Sequence, residues 1–151
     1  MIGGWLVVGV DGTLTHHTTT PTSSMVREAV GDGTDRVGLP LGLAGWVDGD
    51  GHPKRLSINV VGSVLLMALG AGHMPYAGPV VITGWDPDRE VVPLPSGADI
   101  YVRAVHHRVQ AALAGAVDDD GFADAVRETA EELRRAQRPT LTVVTLGGED
   151  R

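Results

Sequence analysis

The chain has 151 residues, 42% hydrophobic and 21% charged, which fits a globular domain with its own core rather than a disordered chain. It contains no cysteine, which excludes a disulfide scaffold, a zinc–thiolate site and a thiol nucleophile. A formal net charge of −7 repels nucleic-acid phosphate, so DNA or RNA is not an expected partner.

The opening MIGGWLVVGV has no basic n-region, and its apolar run is too short to span a bilayer. A cytoplasmic protein without a membrane segment is expected. Residues 5–10 are a short, β-branched apolar run and predict a buried strand, followed by a turn at Asp11-Gly12. Residues 16–24 (HHTTTPTSS) are polar and predict a loop ending in a helix N-cap at Thr22 or Ser23. A short helix over 24–30 then stops at Gly31. Residues 36–41 suggest a second strand, placed at an edge or cut short by Pro40, and residues 43–47 a third.

Asp48-Gly49-Asp50-Gly51 is a hairpin signal, because Asp-Gly tolerates the positive φ of tight turns; residues 55–58 are expected to return as its partner strand. Asn59 is suited to cap a helix, since its side-chain oxygen can accept from free backbone N–H groups. Residues 60–69 are apolar nearly all round and predict a buried helix ended by Gly70 and Gly72. Residues 79–85 predict a central strand ended by Asp86-Pro87. Residues 96–114 predict an amphipathic helix with Ile100, Val102, Val105, Val109 and Leu113 on its apolar stripe. Residues 119–137 predict another, and residues 140–146 a terminal strand before a frayed tail.

The segments LVVGVDGTL, MVREAVGDGTDRVGL, GWVDGDG, LSINVVGSVLL and GPVVITG follow one another over residues 5–86. In order and spacing this region resembles an uncharacterised family of phage, plasmid and actinobacterial genes, domain of unknown function 3846. The resemblance implies an accessory protein of mobile elements or their hosts. It implies no substrate and no catalytic residue, and it does not extend to the part of the chain from Val92 onward.

Several motifs suggest chemistry and are better explained without it. Gly9-Val10-Asp11-Gly12-Thr13-Leu14-Thr15 is similar to the DxDGTLT motif of haloacid-dehalogenase-type phosphatases, but Gly9 stands where the nucleophilic Asp is required. An Asp-Gly turn is the simpler reading. His16-His17 and His106-His107 are adjacent pairs; neighbours on a helix point about 100° apart, so the second pair cannot chelate one metal as i,i+4 histidines do. Asp118-Asp119-Asp120-Gly121 lacks the ligand spacing of a calcium loop and reads as a helix N-cap. No GxSxG elbow, P-loop or strand-linked GxGxxG is present.

The expected fold is therefore α+β: a mixed, mostly antiparallel sheet of five or six strands, one buried helix and two C-terminal amphipathic helices, in a single domain. It comprises a family-like core over 1–86 and a helical extension with a terminal strand over 87–151. The expected function is a small non-enzymatic binding protein acting through a protein partner or as a homodimer, with no catalytic residue, metal or cofactor assigned. Trp46, Trp85, His106 and His107 are candidates for partner contact, although tryptophans at strand ends commonly close a core. The alternative is an enzyme or small-ligand binder with a pocket near Asp11, His16, His17 and Asn59. A third reading, an acidic inhibitor of a DNA-acting enzyme, needs Asp118–Asp120, Asp124, Glu128, Glu131 and Glu132 on one face, against the arginines interleaved with them.

Overall fold

The computed structural model describes residues 3–51, 54–72 and 74–114. The helix expected over 119–137, its acidic cap and the strand over 140–146 lie outside the described residues.

The apolar run near the start becomes strand β1 (Trp5–Val8). It turns at Asp11-Gly12 and pairs antiparallel with β2 (Leu14–His17), Trp5 opposite His17 and Val8 opposite Leu14. His16 and His17 thus belong to a strand and not to the expected loop. They look loop-like in sequence because β2 is an edge strand, half-exposed along its length, where polar residues are tolerated. Helix α1 (Ser23–Val30) follows; the Thr22 hydroxyl accepts from Met25 N–H at 3.1 Å, and Gly31 closes the helix by donating to Arg27 C=O at 2.7 Å.

Strands β3 (Thr34–Gly38) and β4 (Leu43–Asp48) form a hairpin whose turn places Leu41 and Gly42 at φ 65° and 74°, with Leu43 N–H donating to Pro40 C=O. The strand expected over 36–41 is displaced toward the N-terminus, because Pro40 has no N–H for a ladder and Leu41 is left-handed. Residues 55–58 do not return as a partner of β4. Both edges of β4 are already taken, one by β3 and the other by β5 (Val80–Asp86), so no third strand can join it. Residues 54–58 instead form an arm beside residues 76–78: Gly78 N–H donates to Ser57 C=O, Asn59 N–H donates to Tyr76 C=O, and Ile58 bridges Ala77.

Helix α2 (Val60–Leu69) starts at Asn59 and is buried from Gly62 to Leu69. A short strand absent from the sequence reading, β6 (Glu90–Val92), folds back on β5 after a turn in which Asp86 accepts from the Asp88 N–H. Helix α3 (Ala98–Leu113) buries Val102, Val105, His106 and Val109. Ile100 is 70% exposed, so it leaves the expected stripe; on a helix it projects about 160° away from Val102, on the outer side.

The six strands form one sheet, paired antiparallel throughout; five run in the order β2-β1-β5-β4-β3, and β6 pairs with β5 off this path. Gly84 of β5 pairs with Leu43 of β4 and with Val92 of β6, so β6 prolongs the line of β1. With the three helices this is an α+β fold. Alternation along the strands separates two cores. Leu6, Val8, Leu43, Val80 and Ile82 face α2 and α3. Trp5, Ala44, Trp46 and Val81 face α1. Gly45 lies on the first face, where Leu66 of α2 packs over it; a Cβ there would stand 2.7 Å from Leu66 Cδ2, so a larger residue would have to displace that side chain. No helix among the described residues is long and apolar enough to cross a membrane.

Candidate functional site

At one end of the sheet the β1–β2 turn, the 54–58 arm and the segment entering β5 surround an open hollow of about 570 Å³. Val10, Leu56 and Pro79 give it apolar walls, and Asp11 and Ser57 supply the polar side chains at its edge. Two of these walls, Val10 and Leu56, are 47% and 37% exposed although both are large apolar side chains. Gly78, at φ 90°, forms part of the floor; a Cβ there would stand 2.9 Å from Leu56 Cδ1, so its lack of a side chain lets Leu56 lie against the backbone.

Asn59 stands behind the hollow, fully buried. Its Nδ2 donates to Val8 C=O at 2.9 Å and to Gly78 C=O at 3.0 Å, and its Oδ1 accepts from Gly62 N–H at 2.8 Å. One side chain therefore joins β1, the approach to β5 and the first turn of α2. A Cβ at Gly62 would stand 2.8 Å from Asn59 Oδ1, so glycine at that position leaves room for the cap.

Asp11 is exposed in the β1–β2 turn, where its carboxylate accepts from Thr13 N–H at 2.9 Å. That backbone bond, with a further bond from the Thr13 side chain, holds its carboxyl below the usual aspartate value, so the hollow carries a negative edge at neutral pH. The turn is held from below by α3: His106 Nε2 lies 2.8 Å from Gly12 C=O, and Gln110 Nε2 donates to the same oxygen at 3.0 Å.

The histidine pairs are split by the geometry of their elements. His16 points to the α3 side of the sheet, with Nδ1 2.8 Å from Arg103 Nη2 and Nε2 3.2 Å from Gly3 C=O. His17 points to the opposite face and stacks on the Trp5 indole at 4.4 Å between centroids. His106 is buried, whereas His107 is exposed on α3. No group of three or more metal-ligating side chains assembles among the described residues. Asp11, His16, His17 and Asn59 therefore do not surround one cavity: Asp11 edges the hollow, Asn59 is sealed behind it, and the histidines sit toward the other end of β2.

Trp46 is buried beneath α1, its indole N–H donating to Thr83 Oγ1 at 2.9 Å. Trp85 is half-buried with the Arg36 guanidinium 4.2 Å above its ring. Both tryptophans point to the α1 side and act as core lids.

Sequence reasoning missed Val10, Leu56 and Pro79, which bring no reactive group. It also missed the pairing of Lys54, the one lysine in the chain, with Asp48. The single lysine was the available signal. Comparisons with protein-family models, with curated proteins and with solved structures find no match.

Proposed function

We propose that this chain is a small non-enzymatic accessory protein that works by holding a protein partner, with the hollow between Val10, Leu56 and Pro79 as the seat. The observation that carries this reading is the open apolar hollow itself, with partly exposed Val10 and Leu56 among the residues that line it. A substrate pocket encloses most of a small molecule and directs a few converging polar groups at it. This hollow is open on one side, and the polar side chains that line it are a turn aspartate, held by the Thr13 N–H, and a serine. Such a surface suits an apolar side chain of a partner, with Asp11 favouring a cationic neighbour. The same reading carries the mobile-element or actinobacterial origin implied by the family resemblance, and the cytoplasmic location.

The test uses wild type and the double variant Val10→Asp/Leu56→Asp as immobilised baits in an actinobacterial lysate, washed at moderate salt. Both are first compared by circular dichroism, and their self-association is measured by sedimentation. The expected result is a protein, or a second copy of the chain, retained stoichiometrically by wild type and lost from the folded variant. Equal retention by both baits, or a monomer that retains nothing, would overturn the assignment.

A further inference from the structure

We propose that the Lys54–Asp48 ion pair is a latch that holds the strained 54–58 arm in place and so sets Leu56 as a wall of the hollow. The biological meaning rests on the reading of that hollow as a partner's seat; the latch itself does not.

Asp48 ends β4 with its side chain 1% exposed, and its Oδ2 receives Lys54 Nζ at 2.8 Å. Its Oδ1 accepts from Asp50 N–H at 2.8 Å. Two glycines crowd the carboxylate: a Cβ at Gly31 would stand 2.7 Å from Oδ2, and one at Gly33 would stand 2.9 Å from Oδ1. A carboxylate buried this deeply needs a counter-charge, and Lys54 supplies it. Each group reinforces the charge of the other. The lysine hydrogen bond holds the Asp48 carboxyl below its usual value, and the Asp48 hydrogen bond holds the Lys54 ammonium above its own, with Asp50 and Asp32 adding to the effect.

The next residue, Arg55, has φ 61°, a left-handed conformation that a side chain disfavours. Such strain persists only where the surroundings hold it. On the far side of Arg55 the arm is fixed by the Ser57–Gly78 hydrogen bond, the Ile58–Ala77 bridge and Asn59. On the near side it is fixed by Lys54, whose backbone N–H donates to Asp50 C=O and whose ammonium reaches Asp48. Leu56 lies between these anchors, its N–H donating to Gly51 C=O at 2.9 Å.

The sign of the pH dependence follows from the two directions. The Asp48 contribution is complete above the ordinary carboxylate range and is lost as pH falls through its lowered value. The Lys54 contribution is complete below the ordinary amine range and is lost as pH rises through its raised value. The latch therefore stays closed between about pH 4 and pH 10. Removing the lysine charge opens it within that window.

The experiment is amide hydrogen exchange by mass spectrometry on the full chain at pH 7, comparing wild type, Lys54→Met, Lys54→Arg and the double variant Lys54→Met/Arg55→Gly. The expected result for Lys54→Met is at least tenfold faster exchange in peptides covering residues 54–58, with α2 and β5 unchanged. Lys54→Arg should stay close to wild type, and Arg55→Gly, which relieves the strain, should restore part of the protection. Unchanged arm exchange in Lys54→Met would overturn the latch. So would parallel loss of protection in α2 and β5, or failure of Lys54→Met to fold, since either makes the pair a general stabiliser. If the arm is released yet the partner is still retained, the latch stands and the partner's seat lies elsewhere.

Discussion

Behind the hollow, Asn59 is sealed from solvent, and its side chain is committed to Val8, Gly78 and Gly62. In front of it, within the same stretch of chain, Leu56 and Ile58 stand partly in solvent on an arm that contains a left-handed arginine. The base is held by three hydrogen bonds from one side chain that is buried from solvent. The wall is held by an ion pair between a buried carboxylate and a half-exposed lysine, and by a few backbone contacts. The same end of the sheet thus combines a rigid base with a wall that can be released without unfolding the base, an arrangement that suits a contact surface adjusting to what it binds.

The largest effect should come from breaking the base. Asn59→Ala leaves Val8 C=O, Gly78 C=O and Gly62 N–H without their side-chain partner and removes the α2 cap. At about 1–3 kcal/mol for an orphaned buried group and about 1 kcal/mol for a cap, the expected loss is about 3–5 kcal/mol in urea unfolding. Asn59→Asp keeps an acceptor for Gly62 but sets a carboxylate against two carbonyl oxygens, and should be nearly as damaging. A loss below about 1 kcal/mol for Asn59→Ala would mean that the base is no more firmly held than the wall.

The sequence made the base legible and hid the wall, for a physical reason. Asn59 followed by a nearly continuous apolar run carries its own local logic: a cap, then a helix too apolar to be anywhere but inside. The Asp48–Gly51 turn signal carried equally local logic and pointed to a hairpin, but the outcome there was decided by distant strands. Once β3 and β5 occupy both edges of β4, residues 55–58 must go elsewhere, and nothing in their own composition records it. The histidines failed similarly. His16 and His17 read as a loop because an edge strand has a polar pattern, and His106 read as surface because its partner is a backbone carbonyl 94 residues away. The candidate site was the least legible part, since its walls are Val10, Leu56 and Pro79 and its special geometry depends on glycine at position 78.

An intermediate effect is expected where α3 holds the β1–β2 turn. Gly12 C=O accepts from both His106 and Gln110, so either donor covers it when the other is lost. Gln110→Ala should cost about 0.5 kcal/mol, and His106→Ala, which also empties buried space, about 2 kcal/mol. The double variant should exceed the sum by about 0.5–1 kcal/mol, because only then is the carbonyl left bare. Strict additivity in thermal or urea unfolding would show that the two donors act separately. The turn bearing Val10 and Asp11 would then lose its redundant support and belong with the wall rather than the base.

The smallest effect separates strain that is held for a purpose from strain that is merely tolerated. Leu41 has nearly the same left-handed φ as Arg55, 65° against 61°, and is 61% exposed at the tip of the β3–β4 hairpin. Its turn geometry is the one in which asparagine or glycine is normally found. Leu41→Asn should therefore raise stability by about 1 kcal/mol, since the left-handed penalty is relieved and little packing is lost. Arg55→Gly should relieve comparable strain, but at the arm that carries Leu56 the relief should appear as slower exchange over 54–58, with no counterpart at the hairpin tip. If both substitutions gave the same gain in unfolding free energy and neither altered local exchange, the two strained residues would be equivalent. The arm would then have no claim to being held differently from an ordinary hairpin turn.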